Sequence, residues 1–178
     1  ARDHAHLGPI VEIGSYCGKS AVYLGTGVRG AGGVLVCVDH HRGSEENQAG
    51  WEYHDPEVVD PECGKMDTLP WIRRTLERAD LERNVVLMVT DSVTAASLIT
   101  GPIGMLFIDG GHSFESAFAD YEAWSGKISR GGILAIHDLF PDPSEGGQAP
   151  IEVYRRAVAS GQYDELPTVK TLGILRRR

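Results

Sequence analysis

The sequence predicts an α/β fold: a doubly wound, seven-stranded, mostly parallel sheet that ends in a C-terminal antiparallel hairpin. Three observations predict it. Short apolar, β-rich runs alternate with stretches of helical spacing along most of the chain, and strands separated by helices pair in parallel with helices on both faces. The last two β segments, within residues 165–175, meet near Lys170 with no helix between them, so they pair antiparallel at or near a sheet edge. Two apolar runs end in polar clusters, Ile108-Asp109-Gly110-Gly111-His112 and Ile136-His137-Asp138. Ligands of such sheets gather just beyond the carboxyl ends of the strands.

Taken in order, residues 9–13 are apolar and β-rich and form the first strand. Residues 19–26 read as a short helix and residues 33–38 as the second strand. Residues 40–64 break the rhythm, with two Gly-rich turns, two places where His neighbours Asp or Glu, and Trp51 and Tyr53. Loops of this length are functional lids or disordered; because this one starts at a strand end, a lid over the ligand site is expected. Residues 66–79 place Leu69, Ile72 and Leu76 on one helical face and charges on the other. Residues 85–89 form the third strand and 93–98 a helical stretch. A fourth strand over 103–108 ends at Asp109, and a helix follows over 114–124. A fifth strand over 132–136 ends at His137, and the last helix covers 151–160. No internal repeat or linker interrupts the pattern, so one domain over 1–178 is expected.

Composition narrows the function. A chain of 178 residues with 42% hydrophobic content supports a single core, and no run approaches membrane-spanning length. The formal net charge of −8 argues against nucleic acid as a partner. The terminal Arg176, Arg177 and Arg178 read as a solvated tail. Three cysteines, Cys17, Cys37 and Cys63, without paired or zinc-type spacing argue against a disulfide framework and for a reducing, cytoplasmic setting. No signal peptide opens the chain, and its start at Ala1 leads to the expectation of a further N-terminal segment.

The two strand ends deliver two carboxylates and two imidazoles to one place. Two readings fit. The cluster holds a divalent cation and leaves one group to move a proton, or Asp109 and Asp138 cap the following helices while the histidines sit in turns.

Upstream, the first strand runs into Val11-Glu12-Ile13-Gly14-Ser15-Tyr16-Cys17-Gly18-Lys19-Ser20. A strand, a glycine turn and a helix start form a nucleotide-type cradle. Asp39, which ends the second strand 21 residues after Gly18, can accept both ribose hydroxyl protons. The dinucleotide pattern Gly-x-Gly-x-x-Gly fails, because Tyr16 and Lys19 stand where the second and third glycines belong. The phosphate-loop pattern fails as well, because Gly14 and Gly18 are too close. A nucleoside ligand without a pyrophosphate remains.

Glu12-x-Gly14-x-x-x-Gly18 with Asp39 resembles the cofactor site of class I S-adenosylmethionine-dependent methyltransferases, a Rossmann-like fold. Residues 11–21 are particularly similar to the metal-dependent O-methyltransferases of the catechol type. The resemblance covers nearly the whole chain. It implies that Gly14, Ser15, Tyr16 and Ser20 hold the methionyl part of S-adenosylmethionine, that Asp39 holds the ribose, and that Asp91 and Ser92 lie on the adenine side. It also places Glu12 and Asp109 against the cofactor. In the metal-dependent members one aspartate follows strand four, a residue pair follows strand five, and a general base lies three residues after the first aspartate. Asp109, His137-Asp138 and His112 occupy those positions. The resemblance thus implies Asp109, His137 and Asp138 as ligands of Mg²⁺ or another divalent cation, although His137 departs from the usual carboxylate. It implies His112 as the catalytic base that accepts a hydroxyl proton during methyl transfer.

The nearest members in character are the macrocin-type sugar O-methyltransferases, which carry histidine at the base position, and among them mycobacterial enzymes acting on methylmannose oligosaccharides. The polar, acidic 40–64 segment with Trp51, Tyr53 and His54 suits a saccharide acceptor. The expected partner is therefore a small hydroxylated substrate, with no nucleic acid and no membrane. A homodimer is left open. Two other functions compete: an NAD(P)-dependent oxidoreductase, against which the failed glycine pattern counts, and a non-catalytic cofactor-binding module, against which the intact Asp109, His112 and Asp138 set counts.

Overall fold

The computed structural model describes residues 1–51 and 53–178. Seven strands and five α-helices alternate as β1 (Ile10–Ile13), α1 (Lys19–Gly30), β2 (Leu35–Val38), α2 (Leu69–Arg78), β3 (Val85–Met88), α3 (Ser92–Leu98), β4 (Ile103–Ile108), α4 (Phe114–Trp124), β5 (Ile128–Ile136), α5 (Ala149–Ala159), β6 (Tyr163–Val169) and β7 (Leu172–Arg177). The strands form one sheet in the order β3-β2-β1-β4-β5-β7-β6. The first five pair in parallel, and β7 joins β5 and β6 antiparallel. The expected hairpin is therefore present, with β6 at the sheet edge and β7 tucked inside it.

Alternation along the strands divides the core. Val11, Ile13, Val36, Val38, Leu106, Ile108, Leu134 and Ile136 point to one face, with Trp124 from α4 packed among them. Ile10, Leu35, Cys37, Met105 and Phe107 point to the other, under Ala21, Ile72 and Leu76 from α1 and α2. All four residues of β1 are buried, because a central parallel strand is covered on both sides. Trp124 is fully buried, and its indole N–H donates to the Ser92 Oγ at 2.9 Å, which satisfies the one polar atom of the ring.

Several elements exceed their expected bounds. Helix α1 continues four residues past Thr26 to Gly30, because Gly25 and Val28 lie on its buried face and keep it packed. Strand β5 begins at Ile128 rather than 132. Gly131, at φ +79°, and Gly132 sit in a register shift opposite Ile103 and Met105, so the glycines mark a bulge inside the strand and not its start. Strand β6 begins at Tyr163. The 3₁₀ helix Arg2–Leu7 has no apolar periodicity in the sequence. It is held from outside, its Leu7 carbonyl accepting the Ser129 hydroxyl at 2.9 Å.

The 40–64 segment carries 3₁₀ turns at Glu45–Asn47 and Pro56–Val58 and a bridge between Val59 and Met66. Its neck is tied at both ends. The buried His41 Nδ1 lies 2.8 Å from the Thr68 Oγ1, and Arg42 donates to the Met66 carbonyl at 3.1 Å.

Candidate active site

Parallel pairing carries β1, β4 and β5 to one end of the sheet, and each continues one residue beyond its strand. Asp109 donates its N–H to the Ile13 carbonyl at 2.9 Å, His137 to Ile108 at 3.0 Å, and Gly14 to Val38 at 3.0 Å. The glycine turn and both polar strand ends are thereby laid side by side. β1 also lies where the connections diverge, towards β2 on one side and β4 on the other, and such switch points open a crevice. A cavity of about 650 Å³ opens there.

Gly14 has φ +83°, and a Cβ at that position would lie 2.1 Å from the Asp109 carbonyl oxygen. No side chain fits, so the turn after β1 and the turn after β4 touch backbone to backbone. Tyr16, His41 and Asp138 are three of the five non-glycine residues with positive φ among the described residues. Tyr16 lines the cavity, and His41 and Asp138 are the chain neighbours of its lining residues His40 and His137; backbone held in this region clusters at functional sites.

Asp39 organises one wall. Its Oδ2 accepts the Tyr16 N–H at 2.9 Å and its Oδ1 accepts the His41 N–H at 2.7 Å. Each oxygen keeps a lone pair for a further donor. Gly14, Ser15, Tyr16, Ser20, Asp91 and Ser92 line the same cavity. The Ser15 hydroxyl is buried and has no hydrogen-bond partner among the described residues. Asp91 also caps α3, its Oδ1 accepting the Thr94 N–H at 2.8 Å, so the capping role and a place in the cavity wall coincide.

Glu12 lies behind that wall. It is fully buried on the face shared with Cys37 and Phe107, and the Cys37 thiol donates to its Oε2 at 3.0 Å. Burial pushes the carboxyl up to about 7, and the Ser20 and Cys37 groups beside it offset only part of that rise. Its place beneath the glycine turn makes it a support of the cofactor wall.

Asp109, His137 and Asp138 each offer one ligand atom, and these atoms lie within 4.8 Å of one another. The His137 Nδ1 stands 2.8 Å from the Asp138 Oδ1 and 3.1 Å from the Asp109 Oδ1. Burial raises the Asp109 carboxyl above the usual range; His137 opposes this, and the Asp138 charge adds to it. Two carboxylates and an imidazole crowded in this way form a donor set that a divalent cation relieves.

His112 stands between two carboxylates. Its Nε2 lies 3.2 Å from the Asp138 Oδ2 and its Nδ1 3.1 Å from the Glu46 Oε1. The hydrogen bond with Asp138 raises the imidazole pKa, and Glu46 adds to the rise against the effect of burial. The same bond, with His112 as donor, holds Asp138 low. His112 therefore keeps its proton to higher pH than a free imidazole.

Two residues at the cleft carry no motif. Glu46 comes from the 40–64 segment, and no local pattern assigns its partner. Asp120 lines the cavity and is almost fully buried; burial pushes its carboxyl up to about 6, opposed by a hydrogen bond from Ser92. A sequence signal for Asp120 did exist. It shares a helical face with Ala117, Tyr121 and Trp124, and an acid in phase with a core stripe has a specific reason to be there.

Comparison with known proteins places this geometry. Residues 11–139 match a family model described as a methyltransferase domain. Among solved structures, the SAH-bound methyltransferase PaMTH1 of Podospora anserina is similar with a TM-score of 0.67 at 17% identity, over 96% of this chain and 71% of that one. The O-methyltransferase NovP is similar at 0.68 and 16%, over 99% and 77%. CalS11, a TDP-rhamnose 3′-O-methyltransferase of calicheamicin biosynthesis, is similar at 0.66 and 15%, over 95% and 72%. At these identities the likeness is one of fold.

Proposed function

From the premise that the chain belongs to the methyltransferase domain family, we propose that it moves a methyl group from S-adenosylmethionine to a hydroxyl oxygen of a small saccharide, with a divalent cation at the acceptor. One observation carries the reading: the glycine turn and Asp109, His112 and His137 line one cavity, with Asp138 against both histidines. The donor is a cation, and the carboxylates of Asp39, Asp109, Asp120 and Asp138 give the cleft the complementary sign.

Gly14, Ser15, Tyr16 and Ser20 hold the methionyl part, Asp39 the ribose hydroxyls, and Asp91 and Ser92 the adenine side. Asp109, His137 and Asp138 would hold the cation, which when bound lowers the pKa of the acceptor hydroxyl. The oxygen forms a bond to the methyl carbon, the carbon–sulfur bond breaks, and its electron pair stays on sulfur to leave S-adenosylhomocysteine. The hydroxyl proton passes to the His112 imidazole. Positioning along the line of displacement supplies much of the rate. The 40–64 segment serves as a lid over the acceptor.

The acceptor class rests on that segment. Residues 40–67 carry eight carboxylates against two cations, Arg42 and Lys65, while Trp51 and Tyr53 are exposed. Uncharged hydroxyl groups with flat aromatic neighbours suit such a surface, and anionic carriers do not. CalS11, described as a TDP-rhamnose 3′-O-methyltransferase, shares the sugar hydroxyl with this reading but takes it on an anionic nucleotide carrier. No helix among the described residues is long and apolar enough to cross a membrane. A nicotinamide dinucleotide is disfavoured because Tyr16, about 40% exposed, stands where pyrophosphate needs bare backbone.

The test is calorimetry with S-adenosylhomocysteine, followed by mass spectrometry of neutral sugars incubated with S-adenosylmethionine. Binding, a mass gain of one methyl, loss of turnover in EDTA and recovery with Mg²⁺ or Mn²⁺ are expected. The His112→Ala variant should lose about 10²–10⁴-fold in turnover with little change in cofactor affinity. Undiminished turnover in EDTA removes the cation from the reaction, and near-normal turnover in His112→Ala removes the base.

A further inference from the structure

We propose that Asp120 reads the adenine base of the cofactor: its carboxylate, set in the cavity wall beside Ser92, accepts the N6 amino group and makes the site selective for purines that carry that amine. This inference rests on the methyl-transfer reading and gives a task within it to a buried acid that the reaction itself does not use.

Asp120 is placed by the core and not by a loop. With Ala117, Tyr121 and Trp124 it forms the buried face of α4. It is only 5% exposed, yet it lines the cavity together with Gly110, Asp91 and Ser92. A carboxylate in such a stripe is costly unless its lone pairs are met. Ser92 meets one of them. Its hydroxyl accepts the Trp124 indole N–H at 2.9 Å, so its own hydrogen is left for an acceptor, and it bonds to the Asp120 carboxyl. The Oδ2 of Asp120 lies 3.1 Å from where a Cβ on Gly110 would stand, so a residue without a side chain leaves that oxygen its room. A carboxylate offers about four lone-pair sites, and the hydroxyl of Ser92 fills one. Burial pushes the carboxyl up to about 6, Ser92 opposes the rise, and the Asp91 charge adds to it. A donor arriving from the cavity would relieve that cost.

The rest of the cofactor decides which donor arrives. In the methyl-transfer reading the glycine turn takes the methionyl part, Asp39 takes the ribose, and the base lies on the Asp91 and Ser92 side, where Asp120 stands. Asp91 already spends its Oδ1 on the Thr94 N–H at the start of α3. Adenine joined to ribose carries one hydrogen-bond donor group, the N6 amine, and its free ring nitrogens only accept. An ionised carboxyl can therefore pair with adenine through that amine alone. A purine without the amine leaves a buried, charged acceptor unmet, and that loss is larger than the loss of a neutral contact.

The experiment is titration calorimetry of the full chain at pH 7.5 with two probes, S-adenosylhomocysteine and its 6-deamino analogue, in which hydrogen replaces the amine. The wild type should bind the analogue about 10–100-fold more weakly. In Asp120→Ala that ratio should shrink to less than about threefold, because the partner of the amine is gone. Asp120→Asn keeps an amide oxygen for the amine, so it should bind S-adenosylhomocysteine more tightly than Asp120→Ala does. Its ratio should still fall several-fold from the wild-type value, since a charge-assisted bond becomes a neutral one and the amide N–H can donate to a ring nitrogen of the analogue. An Asp120 that only braced Ser92 and α4 would weaken both probes by one factor and leave the ratio at its wild-type value; that result overturns the role. A ratio unchanged in Asp120→Asn overturns it even where Asp120→Ala gives no cooperative melt. If the wild type binds neither probe, the methyl-transfer reading falls and takes this role with it. A wild type that binds both probes alike overturns the role of Asp120 alone.

Discussion

Replacing Glu12 with Gln should remove a pH-dependent loss of stability from the centre of the sheet. Glu12 is fully buried in β1 and its carboxyl is pushed from 4.5 to about 7. Well below pH 4.5 the group is neutral in both folded and unfolded chains and has no effect. As pH rises from 4.5 to 7 the unfolded chain ionises while the folded one stays neutral, so stability falls. Above about 7 both forms are ionised and the deficit is constant. At about 1.4 kcal/mol per pKa unit, the rise to about 7 gives a final deficit of roughly 3 kcal/mol, most of which develops between pH 5 and pH 8. Asp120, raised from 3.8 to about 6, contributes with the same sign, so the wild-type trend by itself does not isolate Glu12. The measurement is therefore a difference of differences: denaturant unfolding of wild type and Glu12→Gln at both pH values. The pH-independent effects of the substitution cancel. The wild type should lose roughly 2–3 kcal/mol more than the variant between the two conditions, or roughly 5–10 °C in Tm for a domain of this size. Parallel losses, equal within about 0.5 kcal/mol, would refute the assignment of a neutral carboxyl beneath the glycine turn.

Three further outcomes follow from the site. Gly14→Ala brings a methyl group to within 2.1 Å of the Asp109 carbonyl, so S-adenosylhomocysteine affinity should fall by more than about 100-fold with a measurable loss of Tm; calorimetry and thermal melts check both. Asp39→Asn removes one of two charge-assisted acceptors for Tyr16 and His41, and the Kd for S-adenosylhomocysteine should rise about 10–100-fold in titration calorimetry. Because imidazole suits Mn²⁺ better than Mg²⁺, EDTA-treated wild type should recover more turnover with Mn²⁺ than with Mg²⁺, and His137→Asp should reverse that order; equal recovery in both proteins would show that His137 does not touch the cation.

The strand–helix alternation was legible because parallel strands covered on both faces are written as continuous apolar runs; β2, β4 and the last residues of β5 have that form, and β1 departs from it only at Glu12. The same rule started β5 too late, at Gly132. The strand begins at Ile128, and Gly131 and Gly132 form a bulge inside it, Gly132 lying against the backbone of β4. The 3₁₀ helix Arg2–Leu7 was invisible because its order comes from contacts with residues such as Ser129, far away in the chain.

Within the site, the sequence alone was sufficient to nominate Gly14, Asp39, Asp109, His112, His137 and Asp138, since each ends a strand or stands in the turn beyond it, and strand ends of a parallel sheet converge whatever the intervening chain does. Which oxygen faces which nitrogen was decided only by tertiary structure. Glu46 meets His112 across a segment whose path depends on the His41–Thr68 and Arg42–Met66 ties, and the shifts of Glu12, Asp120 and His112 arise from burial and neighbours contributed by other elements. Local pattern specifies which groups reach the cleft; their protonation and partners depend on dielectric and distance, which exist only once the chain has closed around them.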